Sequence, residues 1–150
     1  MLTQSILVQW MNAMVILVDT NVVLDFFMRR EPFYSDAYAI MSKCRSGELS
    51  GYISLHAVPT IWYILRKIPE SERRQILLDV CNLLTVASIG HDEVVDAIKA
   101  EDFHDFEDCI QDHCAEAIST DYIVTRNIDD FEHSKVKAVT PNTLLEILNK

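Results

Sequence analysis

The chain is poor in the residues that make loops: it has only three glycines and four prolines among 150 residues. That scarcity argues against disorder and against a turn-rich all-β fold. Long apolar runs are also missing, and none approaches the ~18 residues needed to cross a bilayer. Met1 to Met14 hold no Lys or Arg and no small-residue cleavage site, so a secretory signal is not expected there. Cysteine is limited to Cys44, Cys81, Cys109 and Cys114. The closest pair, Cys109 and Cys114, has neither zinc-knuckle nor redox spacing, which favours reduced thiols in a cytoplasmic protein. Basic residues are outnumbered, 13 against 23 acids, for a net charge of −10. Such a balance opposes broad nucleic-acid binding, which normally relies on Lys and Arg. It leaves one opening, because carboxylates gathered round a metal ion attract phosphate once the ion is bound. His56, His91, His104, His113 and His133 are scattered, and no Ser/His/Asp arrangement stands out.

What is present is a 49% apolar chain of a length that suits one domain with its own core. Residues 1–13 read as an extension of uncertain role, and 14–150 as the domain. Met14–Val18 is a short apolar run that reads as a buried strand ending at Asp19. Thr20-Asn21 opens a helix that Pro32 closes, and Ser35 caps a second that Gly47 ends. Tyr52–Leu55 reads as a strand, Ala57 to Lys67 as a helix with Pro59 in its first turn, and Pro69-Glu70-Ser71 as the start of another. A short strand over Thr85–Ile89 and a helix over Asp92–Ala100 follow. Asp105 to Ser119 carries a 3.6-residue period through Phe106, Cys109, Ile110, Cys114 and Ala117. Tyr122–Thr125 and Val136–Val139 complete the strands, and Pro141 opens the last helix. This alternation predicts an α/β fold of three layers, α/β/α, with a central parallel sheet of four to five strands. In such sheets the ligand site lies outside the carboxyl ends of the strands.

Three chain-distant groups of acids converge on that rim. Asp19 directly follows the first strand, and Asp130 lies a few residues after Tyr122–Thr125. Asp105 and Asp108 are three apart at a helix start, so they share a face and suit the helix dipole. Taken singly each has a plainer reading: Asp105 or Asp108 as a helix-start charge, Asp129 and Asp130 as turn residues. Asp19 is harder to dismiss, because a carboxylate at the end of a buried strand needs something to offset its desolvation. Hard oxygen ligands without a Cys/His set point to Mg²⁺ or Mn²⁺. Phosphodiester hydrolysis is the natural chemistry for such an ion.

The segment Val15-Ile16-Leu17-Val18-Asp19-Thr20-Asn21-Val22-Val23-Leu24-Asp25 resembles the opening strand and first acidic motif of PIN domains. Asp105-Phe106-Glu107-Asp108 resembles their third acidic motif. Ile123-Val124-Thr125-Arg126-Asn127 with Asp129-Asp130-Phe131 is similar to the fourth, and Thr140-Pro141 with Leu144-Leu145 to the usual ending. The resemblance spans about residues 14–148. It implies a Mg²⁺- or Mn²⁺-dependent ribonuclease related to the VapC-like toxins of bacterial toxin–antitoxin pairs, with RNA as substrate, an antitoxin partner and a homodimer. It implies Asp19 and Asp108 as direct ligands, with Asp130 or Asn127 contributing at the fourth position. Thr20 and Asn21 would shape the first motif, the Asn21 side chain bridging to a neighbouring acid, and Thr125 would hold the pocket. One departure matters: where PIN domains usually carry a Glu ahead of an aromatic-aliphatic run, this chain has Thr60 before Ile61-Trp62-Tyr63-Ile64-Leu65. Thr is a poor metal ligand, and Asp105 or Glu107 are the candidates to compensate. The alternative is a PIN-like module, weakly active or inactive, that binds RNA or a protein. A phosphatase of another doubly wound fold ranks below both, because Asp19-Thr20-Asn21 lacks the Asp two residues on that its nucleophile motif wants.

Arg29-Arg30, Arg66-Lys67 and Arg73-Arg74 read as solvated helix ends ahead of RNA-binding patches. Trp62-Tyr63 reads as core packing or a dimer contact ahead of a base-stacking pair.

Overall fold

The chain folds around a parallel sheet whose first strand is Met14–Val18 (β1), preceded by a helix over Gln4–Met11 (α1). The computed structural model describes residues 3–150. The helices Thr20–Phe27 (α2) and Tyr34–Ser46 (α3) lead into Leu49–Ser54 (β2). Ala57–Ile64 (α4) and Glu70–Leu83 (α5) come next, then Thr85–Ala87 (β3) and His91–Lys99 (α6). Phe106–Ala117 (α7) precedes Tyr122–Val124 (β4), a 3-10 turn over Ile128–Phe131, Ala138–Val139 (β5) and Pro141–Leu148 (α8).

All strands are parallel, in the order β3-β2-β1-β4-β5. The chain adopts the expected parallel α/β/α architecture, with five strands where four to five were expected. β1 is central, pairing Ile16 with Gly51 on one side and with Tyr122 on the other. Because its side chains alternate faces, Ile16 and Val18 pack with α2, α3, α5 and α8 residues such as Val22, Ile40, Val80 and Leu144. Leu17 and Ile123 face the other way, onto Cys114 and Ala115 of α7. The chain runs from β1 to β2 on one side and later returns to β4 on the other. The carboxyl ends of β1 and β4 therefore flank the topological switch point, where such sheets open a crevice.

Boundaries differ from expectation where glycine or proline acts. β2 starts at Leu49, three residues before the strand predicted from Tyr52. Gly51 hides the pattern, yet it is required: a Cβ there would lie 2.6 Å from both Cys44 Sγ and Leu84 Cδ2, so the sheet meets α3 and α5 only across a bare backbone. α4 ends at Ile64, ahead of the expected Lys67, because the residues before Pro69 are driven out of helical geometry. Gly47 closes α3 in the left-handed conformation at φ 85°, as its position implied.

Candidate active site

Asp19 leaves the end of β1 with its backbone N–H donating to Val124 O at 2.9 Å, so it is pinned at the seam between β1 and β4. Its side chain is 7% exposed. Gln111 Nε2 donates to Oδ1 at 3.0 Å, and Thr125 Oγ1 donates to Oδ2 at 2.8 Å. Both donors are buried, and Thr125 Oγ1 itself accepts from Asn127 N at 3.1 Å. The carboxylate is thus aimed by two neutral groups from two elements, the end of β4 and the middle of α7. Among the described residues it forms no ion pair with Lys or Arg.

α7 supplies the second side of the site. Asp105 caps it, accepting from Glu107 N at 2.7 Å. The plain helix-start reading of Asp105 is therefore correct as far as its Oδ1 goes. Asp108 lies one turn further and is half-buried, and Gln111 follows at the same spacing, so three residues three apart line one stripe of the helix. The Asp108 carboxyl is pushed up to about 7, first by burial and then by the negative charges of Asp105, Asp19, Asp130 and Glu107. The acids from three separated segments are close enough to oppose one another's ionisation. Asp130 is exposed on the 3-10 turn, whose backbone is tied by Asp130 N to Asn127 O at 3.1 Å.

The other sequence candidates are arranged as follows. Thr20 and Asn21 start α2 beside Asp19, and among the described residues neither side chain makes a hydrogen bond; the bridging role expected of Asn21 is not formed. The Asn127 side chain is exposed. Thr60 Oγ1 donates to His56 O at 3.0 Å, the backbone carbonyl one helical turn earlier. The exposed Arg74 and Arg66 follow the solvated reading, Arg74 pairing with Glu70 at 2.6 Å and Arg66 stacking over Tyr63 at 4.4 Å, whereas Arg73 is half-buried over Trp62 at 4.1 Å with its Nε buried and unpartnered. The four cysteines are free thiols.

Three functional features escaped the sequence reading. Gln111 is one, and its only signal was the spacing that continues Asp105 and Asp108 by one more turn. His56 is the second: it follows β2 at the same rim, within reach of the charges of Glu107, Asp19 and Asp105, yet burial dominates and lowers its pKa. The third is Asp25, on α2 and 1% exposed, whose Oδ2 lies 2.8 Å from Arg126 Nε and whose Oδ1 lies 3.9 Å from Arg30. Arg126 also stacks over Phe33 at 4.0 Å. Desolvation nevertheless raises the Asp25 pKa, with the two arginines opposing it.

A divalent ion can be tested against this donor set. Among the described residues no three His, Cys, Asp or Glu side chains are already gathered round one point. Mg²⁺ does not demand that, since it is usually held by one or two carboxylates and keeps several waters. The donors are hard oxygens, and the burial and crowded negative charge that push the Asp108 carboxyl up to about 7 are what a bound cation would offset. By chemistry and charge the residues fit Mg²⁺ or Mn²⁺. No helix among the described residues is long and apolar enough to cross a membrane.

Known proteins share this fold. Ribonuclease VapC1 of Aquifex aeolicus (strain VF5) is 27% identical over 105 residues, covering 67% of this chain and 73% of that protein. A toxin–antitoxin complex from Klebsiella pneumoniae shares the fold at a TM-score of 0.63 and 20% identity, over 83% of this chain and 96% of that one. VapBC2 from Rickettsia felis, bound to a DNA fragment from its promoter, matches at 0.58 and 16% identity, over 85% and 98%. The sequence pattern of the PIN domain matches residues 15–129, the stretch that carries β1, β4, Asp19, Asp105, Glu107 and Asp108 and stops one residue short of Asp130, and the chain belongs to the PIN domain family.

Proposed function

We propose that this protein is a Mg²⁺- or Mn²⁺-dependent endoribonuclease and the toxin member of a toxin–antitoxin pair, acting as a homodimer. The observation that carries the reading is the state of Asp19: a buried carboxylate, oriented by Gln111 and Thr125, with no Lys or Arg paired to it among the described residues. Orienting a negative charge while leaving it uncompensated is costly unless an external cation completes it. Similarity to a protein named as a ribonuclease and to toxin–antitoxin assemblies supports the RNA substrate and the protein partner.

Asp19 and Asp108 are the residues that would hold the ion, with Asp130 contributing from the 3-10 turn. When bound, the ion supplies Lewis acidity toward a phosphoryl oxygen and lowers the pKa of a water. Gln111 and Thr125 keep the Asp19 oxygens in fixed directions, which limits the reorganisation needed at the moment of reaction. Asp108 ligates as the carboxylate, so its raised pKa makes metal binding weaken as pH falls. Asp105 and Glu107 add negative charge in place of the Glu missing at Thr60. The second reading, a PIN domain that binds without cutting, draws on the neutral Thr60 standing where PIN domains usually carry a Glu.

Calorimetric titration of Mn²⁺ into the wild type and into Asp19→Asn separates the two. Binding in the wild type that disappears in the variant, together with Mn²⁺-dependent cleavage of single-stranded RNA, is the expected result. Absence of binding at millimolar Mn²⁺ would leave the non-cutting reading in its place.

A further inference from the structure

Beside the acids, on the same rim, lies a groove that the metal chemistry does not use. It has a volume of about 310 Å³ and is walled by Leu55, Pro59, Ile89, Val94 and Ile110, with His56 at one side. Its walls come from the ends of β2 and β3 and from α4, α6 and α7, so it opens outside the carboxyl edge of the sheet, next to the switch point. Cys114 also lines it, buried to 2%, its thiol pushed up to about 11 by burial and so neutral. Leu55 stands 54% exposed at the mouth, an apolar side chain that a folded core does not explain.

Two residues join this groove to the carboxylates. Ile110 sits on α7 between Asp108 and Gln111, so the helix that presents the acids also forms the wall. His56 lines the groove and lies within reach of the charges of Asp19, Asp105 and Glu107. Its Nδ1 is buried without a hydrogen-bond partner, and among the described residues its ring makes no hydrogen bond at all. Ser88 is the second polar residue of the lining, and a mostly apolar slot with two such groups suits a flat ligand with apolar faces and a polar edge. An acidic rim excludes an anionic occupant of the slot itself, so phosphate is not what it holds.

We propose that this groove is a base-binding subsite: it takes one unpaired nucleobase of the RNA, the nucleotide next to the phosphate presented to Asp19 and Asp108. The base lies between the aliphatic walls, and the His56 imidazole meets its edge. Single-stranded RNA is commonly read in this way, with bases splayed out, packed on side chains and hydrogen-bonded at their edges. The consequence is a preference at one position beside the cut. The inference rests on the nuclease reading for its biological meaning, but base binding needs no metal, so the two can fail separately.

The test is a titration of the uncharged nucleosides adenosine, guanosine, cytidine and uridine into ¹⁵N-labelled protein with EDTA present, following amide shifts. At least one nucleoside is expected to shift Leu55, Ile89 and Val94 amides with a Kd of about 1 mM. Val94→Trp, which fills the slot from α6, and Leu55→Asp, an exposed change that folding tolerates, should each weaken that binding about tenfold. Both variants should keep wild-type Mn²⁺ binding, while Val94→Trp alters the cleavage position or raises KM for RNA. No shift at these amides with any of the four nucleosides overturns the proposal, as it would if the slot served an apolar side chain of a protein partner. Equal binding by both variants overturns it too. Loss of Mn²⁺ binding with base binding intact would instead defeat the nuclease reading alone.

Discussion

Asp19 and Asp25 are two buried carboxylates on one strand–helix unit, six residues apart, and they are treated in opposite ways. Asp25 is neutralised internally, with Arg126 at 2.8 Å and Arg30 at 3.9 Å. Asp19 receives only the neutral donors Gln111 and Thr125. The first arrangement ties α2 to the segment after β4 and holds the rim together. The second leaves net negative charge at the mouth of the crevice, where a cation from solution can reach it. The difference teaches that burial of an acid does not by itself mark a site; what marks it is orientation without compensation.

The largest expected effect separates the two acids by activity. Asp19→Asn preserves the shape of the side chain, since an amide can still accept from Gln111, but removes the charge. Cleavage of single-stranded RNA with Mn²⁺ should fall about a thousandfold, roughly 4 kcal/mol of transition-state stabilisation. The urea midpoint should stay near or above wild type, because an uncompensated charge has gone. Retained cleavage in this variant would dissolve the contrast.

Asp25→Asn inverts the pattern. It leaves Arg126 beside a neutral partner, so about 3 kcal/mol of stability should be lost. For a chain of this size that is a fall of roughly 6–12 °C in Tm by calorimetry. Mn²⁺ affinity should change far less than in Asp19→Asn once both are measured well below the melting range. If Asp25→Asn instead abolished metal binding without loss of Tm, Asp25 would belong to the ion site and the pairing with Arg126 would be incidental.

The third test uses pH. The Asp108 pKa is raised to about 7 in the folded chain, above its value of 3.8 as an isolated side chain. A raised carboxyl favours the fold while protonated, so its contribution is complete below the ordinary carboxylate range and is lost as pH rises through about 7. The metal-free protein should therefore lose stability to urea between about pH 4 and about pH 7, and Asp108→Asn should flatten that slope. Saturating Mn²⁺ should reverse the sign, because deprotonation then favours binding. A metal-free slope that Asp108→Asn leaves untouched would show that another group titrates.

The fold was largely legible because its signals are local. β1 follows from five apolar residues ending at an acid, α3 ends where Gly47 allows it, and alternation of strands with helices implies the parallel sheet. Asp19 and Asp108 were legible for the same reason: each sits at an element end that periodicity locates. The partners of these acids were not. Gln111 looks like any polar residue in an amphipathic helix, and its bond to Asp19 spans 92 positions. Arg126 and Asp25 are 101 apart, and nothing near either one signals the other. His56 reads as an isolated histidine until β2 and α7 bring it to the acids. Tertiary pairing decides which charges are satisfied, and single-sequence patterns carry little of it.

The smallest effect concerns Asp105, which stands between the two treatments. One of its oxygens is spent on capping α7, by the bond from Glu107 N, while its charge raises the Asp108 pKa. Asp105→Asn keeps the cap, since Asn is an equally good N-cap residue, so Tm should move by no more than a degree or two, about 0.5 kcal/mol. Any change in Mn²⁺ affinity then reports the charge alone. A drop of about threefold to tenfold by calorimetry is expected if Asp105 compensates for the Thr60 position. Asp105→Ala would lower both affinity and Tm, because the cap goes as well, by about 1 kcal/mol. An unchanged affinity in Asp105→Asn would reduce Asp105 to a helix cap and leave Glu107 and Asp130 as the sources of the remaining charge.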